Sequence, residues 1–179
     1  MPKWIVDPEH TVAHFTARHL MVTDVHGQFN KISGVIYLDP VNLASTSVEM
    51  GIDAANILTG VERRDNHLRS DDFFDAGKYP KILFKSTRAE IAGSNLLKIH
   101  GELTIRDITR PSIFNVEYFG PVRYEDETGS YTSIGVSATT CLNREDFGMN
   151  WNNNFGAGNF MVGRHINIIV DAEADIRPE

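Results

Sequence analysis

The sequence predicts an all-β fold, an antiparallel sandwich or closed barrel of roughly eight strands. Three observations carry that prediction. Apolar residues recur at period two along most of the chain, turn-forming residues separate the alternating runs, and helical periodicity is confined to one short stretch.

In the first run Ala13, Phe15, Ala17 and His19 share one face, and Val12, His14, Thr16 and Arg18 share the other. A second strand lies around Phe29 to Leu38. Val48, Met50 and Ile52 then alternate with Ser47, Glu49 and Gly51, and Ile82 and Phe84 follow Pro80 with Lys81 and Lys85 pointing the other way. Further rows are Ile99, Gly101, Leu103 and Ile105; Phe114, Val116 and Tyr118; Val136, Ala138, Thr140 and Leu142; and Ile166, Ile168, Val170 and Ala172. Turns fall at Asp39-Pro40, Ala92-Gly93-Ser94-Asn95, Gly120-Pro121 and Asp126-Glu127-Thr128-Gly129. Such alternation favours antiparallel strands with one wet face, and eight strands closed on themselves leave room for packed side chains or one small ligand.

The helical stretch runs from about Gly60 to Ser70, where Asp65 and Arg69 are spaced to pair on its surface. A second short turn is expected over Asn143–Gly148, with Asn143 as N-cap and Gly148 as stop. Trp151 to Phe160 is rich in Asn and Gly and reads as a loop.

A chain of 179 residues supports one full core, so one domain is the expectation. A net charge of −7 and no long basic run argue against a nucleic-acid binder. The single cysteine, Cys141, cannot form an internal disulfide and is expected as a small buried residue. The N-terminus runs straight into structured-looking sequence without an apolar signal core, and no stretch is long enough to span a bilayer. The expectation is a cytoplasmic protein.

The segment His67-Leu68-Arg69-Ser70-Asp71-Asp72-Phe73-Phe74 joins a charged helical turn to two phenylalanines, and Tyr79-Pro80 then opens a strand. Such a segment can close a barrel mouth, charged outside and aromatic inside. With Val6-Asp7-Pro8, His10, Arg18-His19-Leu20, Asp53-Ala54-Ala55, Arg64-Asp65, Phe84-Lys85-Ser86-Thr87, Leu103-Thr104-Ile105-Arg106, Thr109-Arg110-Pro111, Asn143-Arg144, Phe147-Gly148 and Trp151, it resembles the YceI-like lipid-binding family along nearly the whole chain.

The resemblance implies a lipocalin-like, antiparallel eight-stranded barrel that holds an isoprenoid chain, such as a polyprenyl lipid or a quinone tail, in an apolar tunnel. It admits a homodimer. Many members carry a signal peptide and work in the periplasm, a role not carried over to this chain. Ala13 and Ala17 stand where the family tends to have valine, and Asn152-Asn153-Asn154 is more polar than the family pattern.

An isoprenoid tail offers no hydrogen-bonding group, so its site needs a deep apolar wall. The inward rows supply Phe15, Ala17, Ile52, Phe84, Phe114, Val116, Tyr118, Leu142 and Ile168, and Phe147 and Trp151 are placed to cover a barrel end. Without the resemblance these rows read first as a solid core. For a polar head group the candidates are Arg18 and His19, at the end of the first strand, and the basic cluster Arg63, Arg64, His67 and Arg69. The alternative for the cluster is a helix surface neutralised by Glu62, Asp65, Asp71 and Asp72.

No metal site or cofactor is expected, because His10 and His14 would lie about 13 Å apart along one strand. No catalytic motif is present, and the expected function is non-enzymatic carriage. The alternatives are a small-molecule isomerase or hydrolase with His19 as acid or base, and an interaction module using an exposed strand edge near Trp4 to Val6.

Overall fold

The computed structural model describes residues 1–127, 129–156 and 159–176. Within them lie β1 (Lys3–His19), β2 (Thr23–Phe29), β3 (Ile32–Tyr37), β4 (Ser47–Asp53), β5 (Ile57–Leu58), β6 (Lys81–Ile91), β7 (Leu96–Ile105), β8 (Ile108–Asp126), β9 (Gly129–Asn143) and β10 (Val162–Ile176). One α-helix, α1 (Glu62–Arg69), separates β5 from β6.

Every pairing is antiparallel. β2 and β3 lie end to end along β1, since Ala13 to His19 pair with β2 and Lys3 to Ile5 with β3. β4 and β5 are likewise one interrupted strand, with a 3₁₀ turn over Ala54–Asn56 between them. Counted this way the segments make eight strands, and β1 pairs with β10 to close the barrel. Closure removes the free edge expected near Trp4 to Val6: Ile5 pairs with Asp175 on one side and Val35 on the other.

Alternation decides which side chains enter the barrel, except where bulges break it. Trp4 and Val6 are buried, yet so is Ala13, and Phe15 and Ala17 follow it inward in odd positions. The change of parity comes from a bulge in β1 between Asp7 and Val12, where extra residues oppose Glu173 to Asp171 of β10.

Two glycines serve close approach. A Cβ on Gly27 would lie 2.2 Å from the Phe15 ring, and one on Gly101 would lie 2.5 Å from both the Phe84 ring and the Lys85 carbonyl. Each glycine lets a phenylalanine lie flat along the inner wall.

The two barrel ends differ. At one, Trp4, Val6, Ile36, Leu38, Tyr118, Ile134 and Ala174 form a packed plug, in which the Trp4 indole N–H donates to the Leu38 carbonyl at 2.8 Å. At the other lie α1, the 70–80 connection and a 3₁₀ turn over Arg144–Phe147. That turn has the expected caps: Asn143 accepts from the Glu145 N–H, and Gly148 is left-handed at φ 74°.

Two expectations need correction. Cys141 is exposed, because Ala138 and Leu142 take the inner face of β9 and leave position 141 outside. Asp65 and Arg69 do not pair on the helix surface. Asp65 is buried and accepts the Thr59 N–H at 2.8 Å, while Arg69 donates to the carbonyls of Ala55 and Ile57.

Candidate functional site: the apolar cavity

The inner faces of the strands do not meet at the barrel centre. They enclose a cavity of about 220 Å³ whose wall presents almost no polar atom. Phe15 and Ala17 of β1, Ile52 of β4, Phe84 of β6, Phe114, Val116 and Tyr118 of β8, Leu142 of β9, Phe147 and Ile168 of β10 all lie on this wall. Phe84 and Phe114 meet edge to face at 4.9 Å. Trp151 does not reach the wall. It packs behind it, edge to face with His67 at 4.6 Å and tilted against Phe73 at 5.5 Å.

Leu68, Phe73 and Phe74 complete the wall under α1. The helix is charged along its outer side, with Arg63 exposed, and delivers one leucine inward before the chain folds back to bury Phe73. Sequence alternation could not single out Leu68, Phe73 and Phe74 as wall residues, because they lie outside any strand.

The polar candidates are arranged differently from the wall. Arg64 donates to the Thr59 hydroxyl at 2.7 Å and the Thr59 carbonyl at 2.9 Å, and Arg69 binds two carbonyls of the 55–57 segment. These guanidinium groups fasten α1 to the barrel rim. His67 pairs with Asp72 at 2.7 Å, and Arg18 with Asp24 at 3.1 Å. His19, expected on the tunnel wall, lies off it, because the pairing of β1 with β10 shifts register between Ala17 and His19. Four of the six polar candidates, Arg18, Arg64, His67 and Arg69, are thus engaged by partners within the chain.

The notable charged group is Arg144, on the wall and 3% exposed. Its guanidinium donates to the carbonyls of Gly163 at 3.0 Å, Trp151 at 3.0 Å and Val162 at 3.2 Å, and also to that of Met149. Among the described residues no carboxylate pairs with it. Burial lowers its affinity for the proton, as does nearby Arg164, with Glu145 opposing. Arg144 thus ties the start of β10 to the 149–151 loop. Asn152 adds to that tie: its side chain donates to the Val162 carbonyl and accepts the Val162 N–H, which gives the polar rim a structural reason.

Two wall residues at the plugged end, Thr46 and Tyr118, have buried hydroxyls without a hydrogen-bond partner among the described residues. Burial pushes the Tyr118 phenol up, so it stays a neutral donor. On the outer surface Asp7, His10 and Glu173 come together beside the β1 bulge, with their ligating atoms within 4.8 Å of one another. His10 bonds Asp7 at 2.8 Å.

A closed eight-stranded antiparallel barrel around an apolar cavity, its ends covered by a helix and aromatic side chains, defines a lipocalin-like barrel. The YceI-like domain matches residues 4–174, and the chain belongs to that family. A UPF0312 protein of Vibrio cholerae is 35% identical over 148 residues, which is 82% of this chain and 77% of that one. The crystal structure of a Campylobacter jejuni YCEI protein superposes with a TM-score of 0.73 at 28% identity, covering 90% of each chain. A polyisoprenoid-binding domain from Saccharophagus degradans, implicated in plant cell wall breakdown, shares the fold with a TM-score of 0.69 at 13% identity, covering 97% of this chain and 98% of that one.

Proposed function

We propose that this protein binds and carries an isoprenoid lipid, a polyprenyl chain or quinone tail, inside the barrel, without chemical turnover. The observation that carries the reading is a cavity walled by apolar side chains from all around the barrel. Each buried methylene contributes about 0.8 kcal/mol, so a ten-carbon stretch contributes about 8 kcal/mol before ordering costs. The polyisoprenoid binding named for the Saccharophagus degradans domain supports the choice of ligand. The titratable residues on the wall are His14, whose side chain is exposed, Tyr118 and Arg144, whose donors are held by backbone carbonyls. That set supports carriage over catalysis.

The test is native mass spectrometry of freshly purified protein, then solvent extraction and mass analysis of what is released. Uptake of added farnesol is measured alongside for the wild type, Phe84→Asp and Phe114→Asp. The expected result is a stoichiometric isoprenoid on the wild type and loss of both retention and uptake in the folded variants. A folded Phe114→Asp protein that still holds lipid would sink the proposal.

A further inference from the structure

The turn joining β1 to β2 carries three apolar side chains into solvent: Leu20 is 40% exposed, Met21 48% and Val22 74%. Its backbone is unfavourable for these residues, since Leu20 has φ 49° and Met21 φ 61°. The strands close tightly around it, with His19 opposite Thr23 and the Val22 N–H bonded to the His19 carbonyl at 3.0 Å. Consecutive positive φ values in a short hairpin turn call for Asn and Gly, which adopt them freely. Here the chain instead holds two large aliphatic residues in a left-handed conformation and keeps them wet. Strain and exposed apolar surface on the same residues point to a contact the isolated chain does not make.

The turn also continues the cavity. Ala17 of β1 and Val162 of β10 are wall residues, His19 pairs with Val162, and the Leu20 N–H bonds the Met161 carbonyl at 3.0 Å. The apolar tip therefore begins within a few residues of the apolar interior, at the barrel end opposite the plug.

We propose that the Leu20–Val22 turn is a membrane-docking tip, which inserts into a lipid surface and brings this end of the barrel against the source of its cargo. The occupant is a bilayer rather than another protein because the surface is small and sits on a hairpin turn. Three partly exposed side chains fall far short of the roughly 800 Å² per partner of a standard protein interface, whereas a lipid surface accepts a protruding apolar turn. The arginines beside the tip in β1 and β10 are paired, Arg18 with Asp24 and Arg164 with Glu145, so docking is apolar in character. The inference rests on the carrier reading and supplies its partner.

The test is co-sedimentation of the full chain with two kinds of vesicle, one of phosphatidylcholine and one of equal parts phosphatidylethanolamine and phosphatidylglycerol. The wild type is compared with the double variant Leu20→Asn, Met21→Gly and with Val41→Ser, which alters an exposed apolar residue remote from the tip. The expected result is binding of the wild type and Val41→Ser to both vesicles with little dependence on salt. The double variant should bind about tenfold more weakly or less while melting at a higher temperature, because its residues suit the turn. Undiminished vesicle binding by the double variant overturns the proposal. So does binding that vanishes for all proteins in salt or on phosphatidylcholine. A concentration-dependent dimer abolished by the double variant would assign the tip to a second copy of the chain and overturn it too. Farnesol uptake from ethanolic solution by the same samples reads the cavity alone: its retention in the double variant supports a docking role, and its absence in the wild type overturns the carrier reading beneath it.

Discussion

Replacing Arg144 by methionine keeps an unbranched apolar stem and removes every donor from a site that is 3% exposed. The carbonyls of Gly163, Trp151 and Met149 lose this donor together, and that of Val162 keeps only Asn152. Hydrogen bonds from a charged donor contribute about 1.5 to 3 kcal/mol each, and the relief of guanidinium desolvation returns several kcal/mol. The net expectation is a loss of about 3 to 4 kcal/mol, which is large beside ordinary domain stability. Arg144→Lys should fall between, because an ammonium retains the charge but cannot span four carbonyls in a planar fork. Urea unfolding would measure this, with an unchanged slope showing that the unfolded state is the same. The loss should be insensitive to salt, since no carboxylate pairs with Arg144 among the described residues. A loss below about 1 kcal/mol, or one that disappears in salt, would refute the view that Arg144 holds the loop through backbone carbonyls.

Three other outcomes follow from the same geometry. The His10 pKa is raised above the ordinary 6.5 by its hydrogen bond to Asp7 and by the charges of Asp7 and Glu173. Its contribution to stability is therefore fully present below pH 6.5 and fades as pH rises through the folded-state value. Asp7 feels a burial effect that raises its pKa. Its bonds to His10 and the Glu9 N–H outweigh that and leave it below 3.8, so its contribution is present above that pH and is lost on further acidification. Nuclear magnetic resonance titration should show the raised His10 value in the wild type and its return toward normal in Asp7→Asn. Tyr118→Phe removes a buried hydroxyl that has no partner among the described residues, so thermal melting of the ligand-free protein should show no loss and a gain of up to about 1 kcal/mol. Gly27→Val forces the Phe15 ring off the inner wall, and a loss of at least about 2 kcal/mol by urea unfolding is expected.

Much of the fold was legible because period two is a local property. Once Phe84, Phe114 and Ile168 are read as inward residues, their placement needs nothing beyond the pleat. The capped turn at Asn143 to Gly148 was equally local, since an Asn side chain and a left-handed glycine act within a few residues of themselves. The polar candidates were harder. Arg64 and Arg69 announce positive charge in the sequence, but whether they face a ligand or the carbonyls of Thr59, Ala55 and Ile57 depends on how α1 lands on the rim. His19 followed the apolar row on paper, and one register shift in β1 took it off the wall.

The sequence by itself determined an all-β chain, the residues that alternate inward and the kinship those residues carry, because each rests on backbone periodicity or on motif order. Tertiary structure alone decided that the strands close through β1 and β10, that the inner faces stay far enough apart to leave a cavity, and that Arg144 is buried against carbonyls. Those outcomes depend on bulges, strand interruptions and the packing of distant segments. No window of sequence contains the distance between two walls of a barrel.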